Sequence, residues 1–231
     1  GNVLAQALAA NASDAEKLGL QRERLRMLNP RLIHGHIKGF VDQPDRPAFD
    51  VVLQAETGYI SMTGTDAAHL AKLPIALIDV LAAHQLKEGV LLALLQRERT
   101  GRGAFVEVSL EEAALTGLIN QASNQLMTGA VAQPLGTLHP NIAPYGECFT
   151  CSDGGRIILA VGSDAQFAAL CAVLDQIHLP ADPRFARNTD RVRKRWLITP
   201  LRSEEVPLEP SPIDLAQEWA MVFCTRYGLQ T

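Results

Sequence analysis

The chain has 231 residues, 47% hydrophobic and 20% charged, with a formal net charge of −4. This is the composition of a globular chain with one large or two small domains, and it excludes global disorder. The acidic balance supplies no field for nucleic acid or acidic lipid, and no apolar run reaches the roughly 20 residues of a bilayer span, so neither partner is expected.

The N-terminus, GNVLAQALAANASDAEK, lacks the basic start and apolar block of a signal peptide. Cys148, Cys151, Cys171 and Cys224 are too few for a disulfide framework in a chain this long, so the cytoplasm is the expected compartment.

In chain order, residues 3–27 read as Ala- and Leu-rich helix, broken at Asn29-Pro30. The alternation in RLIHGHIKGF predicts a strand, and VDQPDRP a loop. Residues 48–62 read as helix up to Glu56, with Gly58 ending it. The strongest helix is expected over 80–99, where Leu81, Leu86, Leu91, Leu94 and Leu95 form an apolar stripe and TGRG (100–103) provides the stop. AFVEVSL has period two and predicts a strand. EEAALTGLINQASNQLMTG predicts one further long helix, and a Gly/Pro/His loop occupies 136–146. GECFTC and RIILAV flank Ser152-Asp153-Gly154-Gly155, a hairpin signal. Ser163 or Asp164 then opens the helix AQFAALCAVLDQI. RSEEVPLEPSP reads as a linker, with a helical tail from Asp214.

Asp79 follows the apolar run LPIALI and directly precedes the strongest helix. As an N-cap its carboxylate would accept backbone N–H bonds and meet the positive dipole end, and both effects hold it ionised. Two readings stand: a plain helix cap, or a nucleophile with one oxygen free to attack an acyl carbonyl. The loop over 136–146 carries His139 and Tyr145, and it reads either as an ordinary connection or as a cover that offers backbone N–H groups to an oxyanion.

Cys148-x-x-Cys151 and His34-x-His36 both lack further ligands at metal-binding spacing, so no metal is expected. Arg184, Arg187, Arg191, Arg193, Lys194 and Arg195 form a basic run, read as a solvated helix face with phosphate contact as the alternative.

Taken together, several stretches resemble the class III CoA-transferases, which include formyl-CoA transferases and carnitine CoA-transferase, with acyl-CoA racemases as relatives. They are NPRLI (29–33) with Gly39-Phe40, RPAFDVVLQAETG (46–58), TGRGAFVEVSLEEAAL (100–115), HPNIAPYG (139–146), AVGSDAQFAALC (160–171) and DPRFARN (182–188). No single piece is specific; their order and spacing over about 17–195 carry the resemblance.

The resemblance implies an α/β fold lacking much of the family's N-terminal nucleotide-binding region and carrying a smaller mixed α/β domain. It divides the chain into 1–74, part of the large CoA-binding domain; 75–195, core helices and the smaller domain; and 196–231, an unassigned linker and tail. It implies that Asp79, upstream of the TGRG turn, is the nucleophile of a ping-pong transfer between an acyl-CoA and a small carboxylic acid, through an aspartyl anhydride and an aspartyl-CoA thioester. CoA thioester is then substrate, and no cofactor is tightly bound.

By the same resemblance Arg46, Pro47, Ala48 and Phe49 line the CoA site. Asp50, Gly136, His139 and Asn141 stand near the reacting carboxylate, and the molecule is an interlocked homodimer. Racemases of this superfamily place a His where Phe49 stands; Phe has no proton to exchange, which argues for transfer over racemisation.

Overall fold

A computed structural model describes residues 17–43, 46–150 and 155–198, and the backbone of 3–7. The expected linker and tail from 199 onward, the turn at 151–154 and Cys224 lie outside the described residues. The chain divides into two compact units, Gly1–Pro134 and Leu135–Thr231.

The first unit is built on a three-stranded parallel sheet in the order β1 (Val3–Ala7), β2 (Ile33–Lys38), β3 (Phe105–Ser109). Between β1 and β2 lies the short helix α1 (Arg22–Leu28), which ends at Asn29 as the Asn-Pro step requires. The expected continuous helix over 3–27 is therefore corrected: Val3–Ala7 is a strand. Five residues, VLAQA, are too few to carry a periodicity that separates strand from helix, and pairing with β2 decides it.

The connection from β2 to β3 carries α2 (Asp50–Glu56), α3 (Tyr59–Met62) and α4 (Leu77–Thr100). Gly58, at φ 91°, marks the end of α2 as predicted. Helix α4 extends the expected 80–99 by a turn at its start and stops at Gly101, φ 70°, whose N–H reaches back to the Arg97 carbonyl.

After β3 the expected single helix is two, α5 (Leu110–Gly117) and α6 (Asn120–Thr128), separated by Ile119 at φ 45°. Leu115, Leu118 and Ile119 keep helical spacing across the break, so periodicity hides it. Gly117 sits where any Cβ would strike the Tyr59 hydroxyl and the Leu81 side chain. Tyr59 also donates to the Ala114 carbonyl at 3.0 Å, so α5 lies hard against the core while α6 buries nothing.

That core gathers Phe40, Leu53, Tyr59, Ile78, Ala82, Leu110, Ala113 and Ala114. Burying each of its large side chains contributes roughly 1.5–3 kcal/mol. The small residues of α5 let it approach α4 closely.

In the second unit, β4 (Tyr145–Thr150) and β5 (Arg156–Ala160) form the predicted antiparallel hairpin. Ser163 then caps α7 (Asp164–Val173) with a complete capping box, its hydroxyl accepting from Gln166 N and Gln166 Oε1 accepting from Ser163 N. Helix α7 stops at Val173, short of the expected Ile177, and Asp175 turns the chain at φ 56°. A 3-10 turn (Leu179–Ala181), α8 (Asn188–Arg193) and α9 (Arg195–Ile198) follow. Leu159, Val161, Phe167, Cys171, Leu179, Phe185 and Ile198 form this unit's core. Among the described residues no helix is long and apolar enough to cross a membrane.

Candidate active site

The start of α4 is fixed by Ile78, which is fully buried in the core of the first unit. Successive helical residues turn by about 100°, so burying Ile78 swings Asp79 away from the core. Asp79 is exposed. It is not the N-cap: Ala76 holds that position, with no side-chain oxygen to offer, and Asp79 lies in the first turn.

The cap comes from another element. Asp50, the first residue of α2, extends its carboxylate so that Oδ2 accepts the Ile78 N–H at 2.8 Å and the Asp79 N–H at 3.4 Å. The sequence expectation is corrected here. The orphan N–H groups of α4 are satisfied by Asp50, and the Asp79 carboxylate has no hydrogen-bond or ion-pair partner among the described residues.

The expected charge state shifts with it. Partial burial, and then the nearby Asp50 carboxylate, push the Asp79 pKa above the ordinary carboxylate value rather than below it. Two carboxylates meet at one helix start: one is engaged with backbone, the other faces outward.

Asp50 is itself held from behind. Gln54, one turn along α2 and only 1% exposed, donates from Nε2 to Asp50 Oδ1. The same Nε2 donates to the Ile75 carbonyl at 3.3 Å, and Gln54 Oε1 accepts from Leu73 N at 2.8 Å. Sequence reasoning missed Gln54. The available signal was the i, i+4 spacing of an Asp and a Gln at a helix start, a pair that hydrogen-bonds along one face.

The preceding segment lies alongside. Arg46 forks onto the Glu56 carboxylate and stacks 4.1 Å from the centroid of Phe40, so its charge is already matched within the unit. Ala48 packs inward, against Gly39, whose missing Cβ leaves it room. Pro47 is exposed, and Phe49 is 64% exposed, an aromatic face turned to solvent immediately before Asp50.

His139, Asn141 and Gly136 belong to the second unit. Gly136 turns at φ 61°. The His139 amide bonds the Tyr145 carbonyl at 3.0 Å, and its ring lies edge-on to Tyr145. His139 Nδ1 accepts the Asn141 N–H at 3.1 Å, which fixes the neutral tautomer with hydrogen on Nε2. Burial, and then Arg195, press its pKa down.

The carbonyls of this loop are gripped from α8 and α9. Arg195 donates to His139 O at 2.6 Å and Ile142 O at 3.1 Å, and Arg191 donates from Nε to Ala143 O at 2.8 Å. Arg191 is fully buried, also bonding Phe185 O and Asp164 Oδ1. The basic run is thus no uniformly solvated face: two of its arginines are internal clamps.

Elsewhere, His36 and Lys38 both bond Glu107, while His34 is buried edge-on to Phe105. Cys148 and Cys171 are free thiols. Among the described residues no three His, Cys, Asp or Glu side chains gather as a metal site.

The family model described as CoA-transferase family III matches residues 2–206. The chain belongs to CoA-transferase family III. A succinate–glutarate CoA-transferase of Agrobacterium fabrum is 34% identical over 192 residues, which are 82% of this chain and 48% of that protein. An acetyl-CoA:oxalate CoA-transferase of Acetobacter aceti is 33% identical over 77% of this chain and 46% of its own length. The crystal structure of a CAIB/BAIF family protein from Brucella suis superimposes with a TM-score of 0.72 at 31% identity, covering 100% of this chain and 61% of that one. The mixed α/β architecture is accordingly that of CoA-transferase family III. The chain spans about half the length of the curated relatives it matches.

Proposed function

We propose that this chain carries the reacting carboxylate of a class III CoA-transferase, and that the carboxylate is Asp79. The observation that carries the reading is the division of labour at the start of α4. Asp50 takes the backbone N–H groups, so both Asp79 oxygens are left for chemistry on an exposed surface.

The steps balance without ATP or metal. An Asp79 oxygen attacks the donor thioester carbonyl; the C–S bond breaks, leaving an aspartyl–acyl anhydride and CoA thiolate. The thiolate attacks the aspartyl carbonyl, forming an aspartyl-CoA thioester and releasing the donor acid. The acceptor carboxylate attacks that thioester to give a second anhydride and thiolate. The thiolate then takes the new acyl group, and Asp79 returns as carboxylate. The relatives' names include succinate, glutarate and oxalate, so the acid substrate is read as a small carboxylic acid.

Arg46, Pro47 and Phe49 are read as one wall of the CoA site, with Ala48 packed behind it and the exposed Phe49 ring the surface on which an adenine or acyl group could lie. The active molecule is read as a homodimer. Helix α4 leaves Leu91, Leu92 and Leu95 exposed away from its core face, an apolar patch that a second surface would cover. The free thiols Cys148 and Cys171 fit a reducing cytoplasm.

The test is incubation with an acyl-CoA followed by mass analysis of the intact chain and its peptides. An adduct of acyl or CoA mass on the peptide holding Asp79, absent in Asp79→Ala, is the expected outcome. Equal labelling of the Asp79→Ala chain overturns the proposal.

A further inference from the structure

Gln54 is a buried polar side chain, and its three bonds converge on the segment that leads into Asp79. One carboxamide hydrogen goes to Asp50, the other to the Ile75 carbonyl, and the oxygen takes the Leu73 N–H. The orientation is forced. Exchanging O and N would set the NH2 against the Leu73 N–H and the oxygen against both a carboxylate and a carbonyl. The amide therefore acts as a bracket: it fixes the approach to α4 on one side and the Asp50 carboxylate on the other.

Asp50 transmits this to the helix, since the oxygen not bonded to Gln54 receives the N–H groups of Ile78 and Asp79. Without a donor at Oδ1, that carboxylate could rotate away from the helix or toward the Asp79 side chain.

We infer that Gln54 is a positioning residue, holding Asp50 in its capping pose and so setting where the Asp79 carboxylate stands. This rests on the reading of Asp79 as the acyl acceptor, and it adds to it a residue that touches no substrate. Geometry held to within about 1 Å is worth on the order of 100-fold in rate for a bound nucleophile, so the bracket acts on turnover rather than on CoA affinity.

The test uses backbone hydrogen exchange at Ile78 and Asp79 together with the rate of Asp79 acylation, in the full chain and in Gln54→Leu and Gln54→Glu. In Gln54→Leu, exchange at the two amides should rise at least about 10-fold over the parent while amides further along α4 stay unchanged. Acylation should slow about 10- to 100-fold, with little change in the concentration of acyl-CoA giving half-maximal rate.

Gln54→Glu supplies the rescue. Two carboxyls at this distance share a proton, so at pH 5 the neutral acid of Glu still donates to Asp50 and exchange should match the parent at that pH. At pH 8 the shared proton is lost and exchange should approach that of the Leu variant. Should Gln54→Leu not fold, this pH dependence decides alone.

Exchange in Gln54→Leu within twofold of the parent, or Gln54→Glu behaving alike at both pH values, overturns the inference and leaves the proposed function standing. A parent chain that takes no acyl group on Asp79 instead sinks the proposed function, and with it the catalytic meaning of Gln54, even if exchange responds.

Discussion

The start of α4 and the loop over 139–143 solve the same problem with opposite charges. Each is a stretch of backbone whose polar groups lack partners in regular structure. At α4 the orphans are N–H groups, and an anion from a different helix, Asp50, receives them. In the loop the orphans are carbonyls, and cations from α8 and α9, Arg191 and Arg195, donate to them. The difference lies in what remains free. A carboxylate capping two N–H groups leaves the residue it caps, Asp79, facing outward. A guanidinium sealed among carbonyls leaves nothing reactive of its own and serves to hold His139 and its neighbours in one pose.

The strongest way to break the comparison is Arg191→Met. Shape is roughly kept, but Ala143 O, Phe185 O and Asp164 lose their donor, and Phe167 loses the cation stacked 4.5 Å from its ring centroid. Removing one side of a buried charge-assisted network costs about 3 kcal/mol. Urea unfolding followed by far-UV circular dichroism should show that loss; a change below about 1 kcal/mol would mean the arginine is not the clamp described.

A sharper test separates cap from charge at Asp50. Asp50→Ala removes both and should destabilise the chain by about 1–2 kcal/mol. Asp50→Asn keeps one acceptor oxygen for the α4 N–H groups but sets its NH2 against the Gln54 NH2, so only part of that stability should survive. Both variants delete the negative charge that helps to raise the Asp79 pKa, so the midpoint of its carboxyl titration, followed by 13C NMR, should fall in both. The acid limb of any acylation rate should move to lower pH with it. If the midpoint falls in Ala alone, cap and charge are not separable here.

A smaller effect probes a fully local cap in the second unit. Ser163→Ala removes the hydroxyl that accepts Gln166 N at 3.2 Å, and the loss should be about 1 kcal/mol in the same unfolding experiment.

Long periodic segments were legible from the chain alone. The stripe of α4 with its TGRG stop, the alternation in β3 and the hairpin signal each specify an element locally. Val3–Ala7 was not, because only the neighbouring strand tells such a run that it is a strand. The break at Ile119, φ 45°, was hidden because apolar spacing continues through it.

At the candidate site, Asp79 stood out by its place before a helix, but its role as cap did not transfer. The true cap lies 29 positions away in sequence. Arg191 was illegible because its partners are largely backbone carbonyls, which every sequence contains, and Gln54 left only the i, i+4 spacing to Asp50, while its bonds to Leu73 and Ile75 are to backbone groups that no side-chain pattern announces.

The smallest expected effect bears most directly on the comparison. Burial and Asp50 raise the folded-state pKa of Asp79 above its unfolded value. Such a group contributes stability that is fully present below the unfolded pKa and lost as pH rises through the folded one. At pH 7 ionised Asp79 is thus a small net cost, and Asp79→Asn should stabilise the chain. Because the carboxylate is largely in solvent, the gain is below about 0.5 kcal/mol, and it should vanish near pH 3, where the parent carboxyl is itself neutral. An opposing force exists: a negative charge in the first turn of a helix is ordinarily favourable by about 0.3–1 kcal/mol. The two effects have opposite signs, so the direction of the change is decisive. Stabilisation at pH 7 means that Asp50 has already answered the positive end of α4 and Asp79 is held there against its own preference. Destabilisation means that Asp79 still serves the helix, and that the division of labour between the two carboxylates is incomplete.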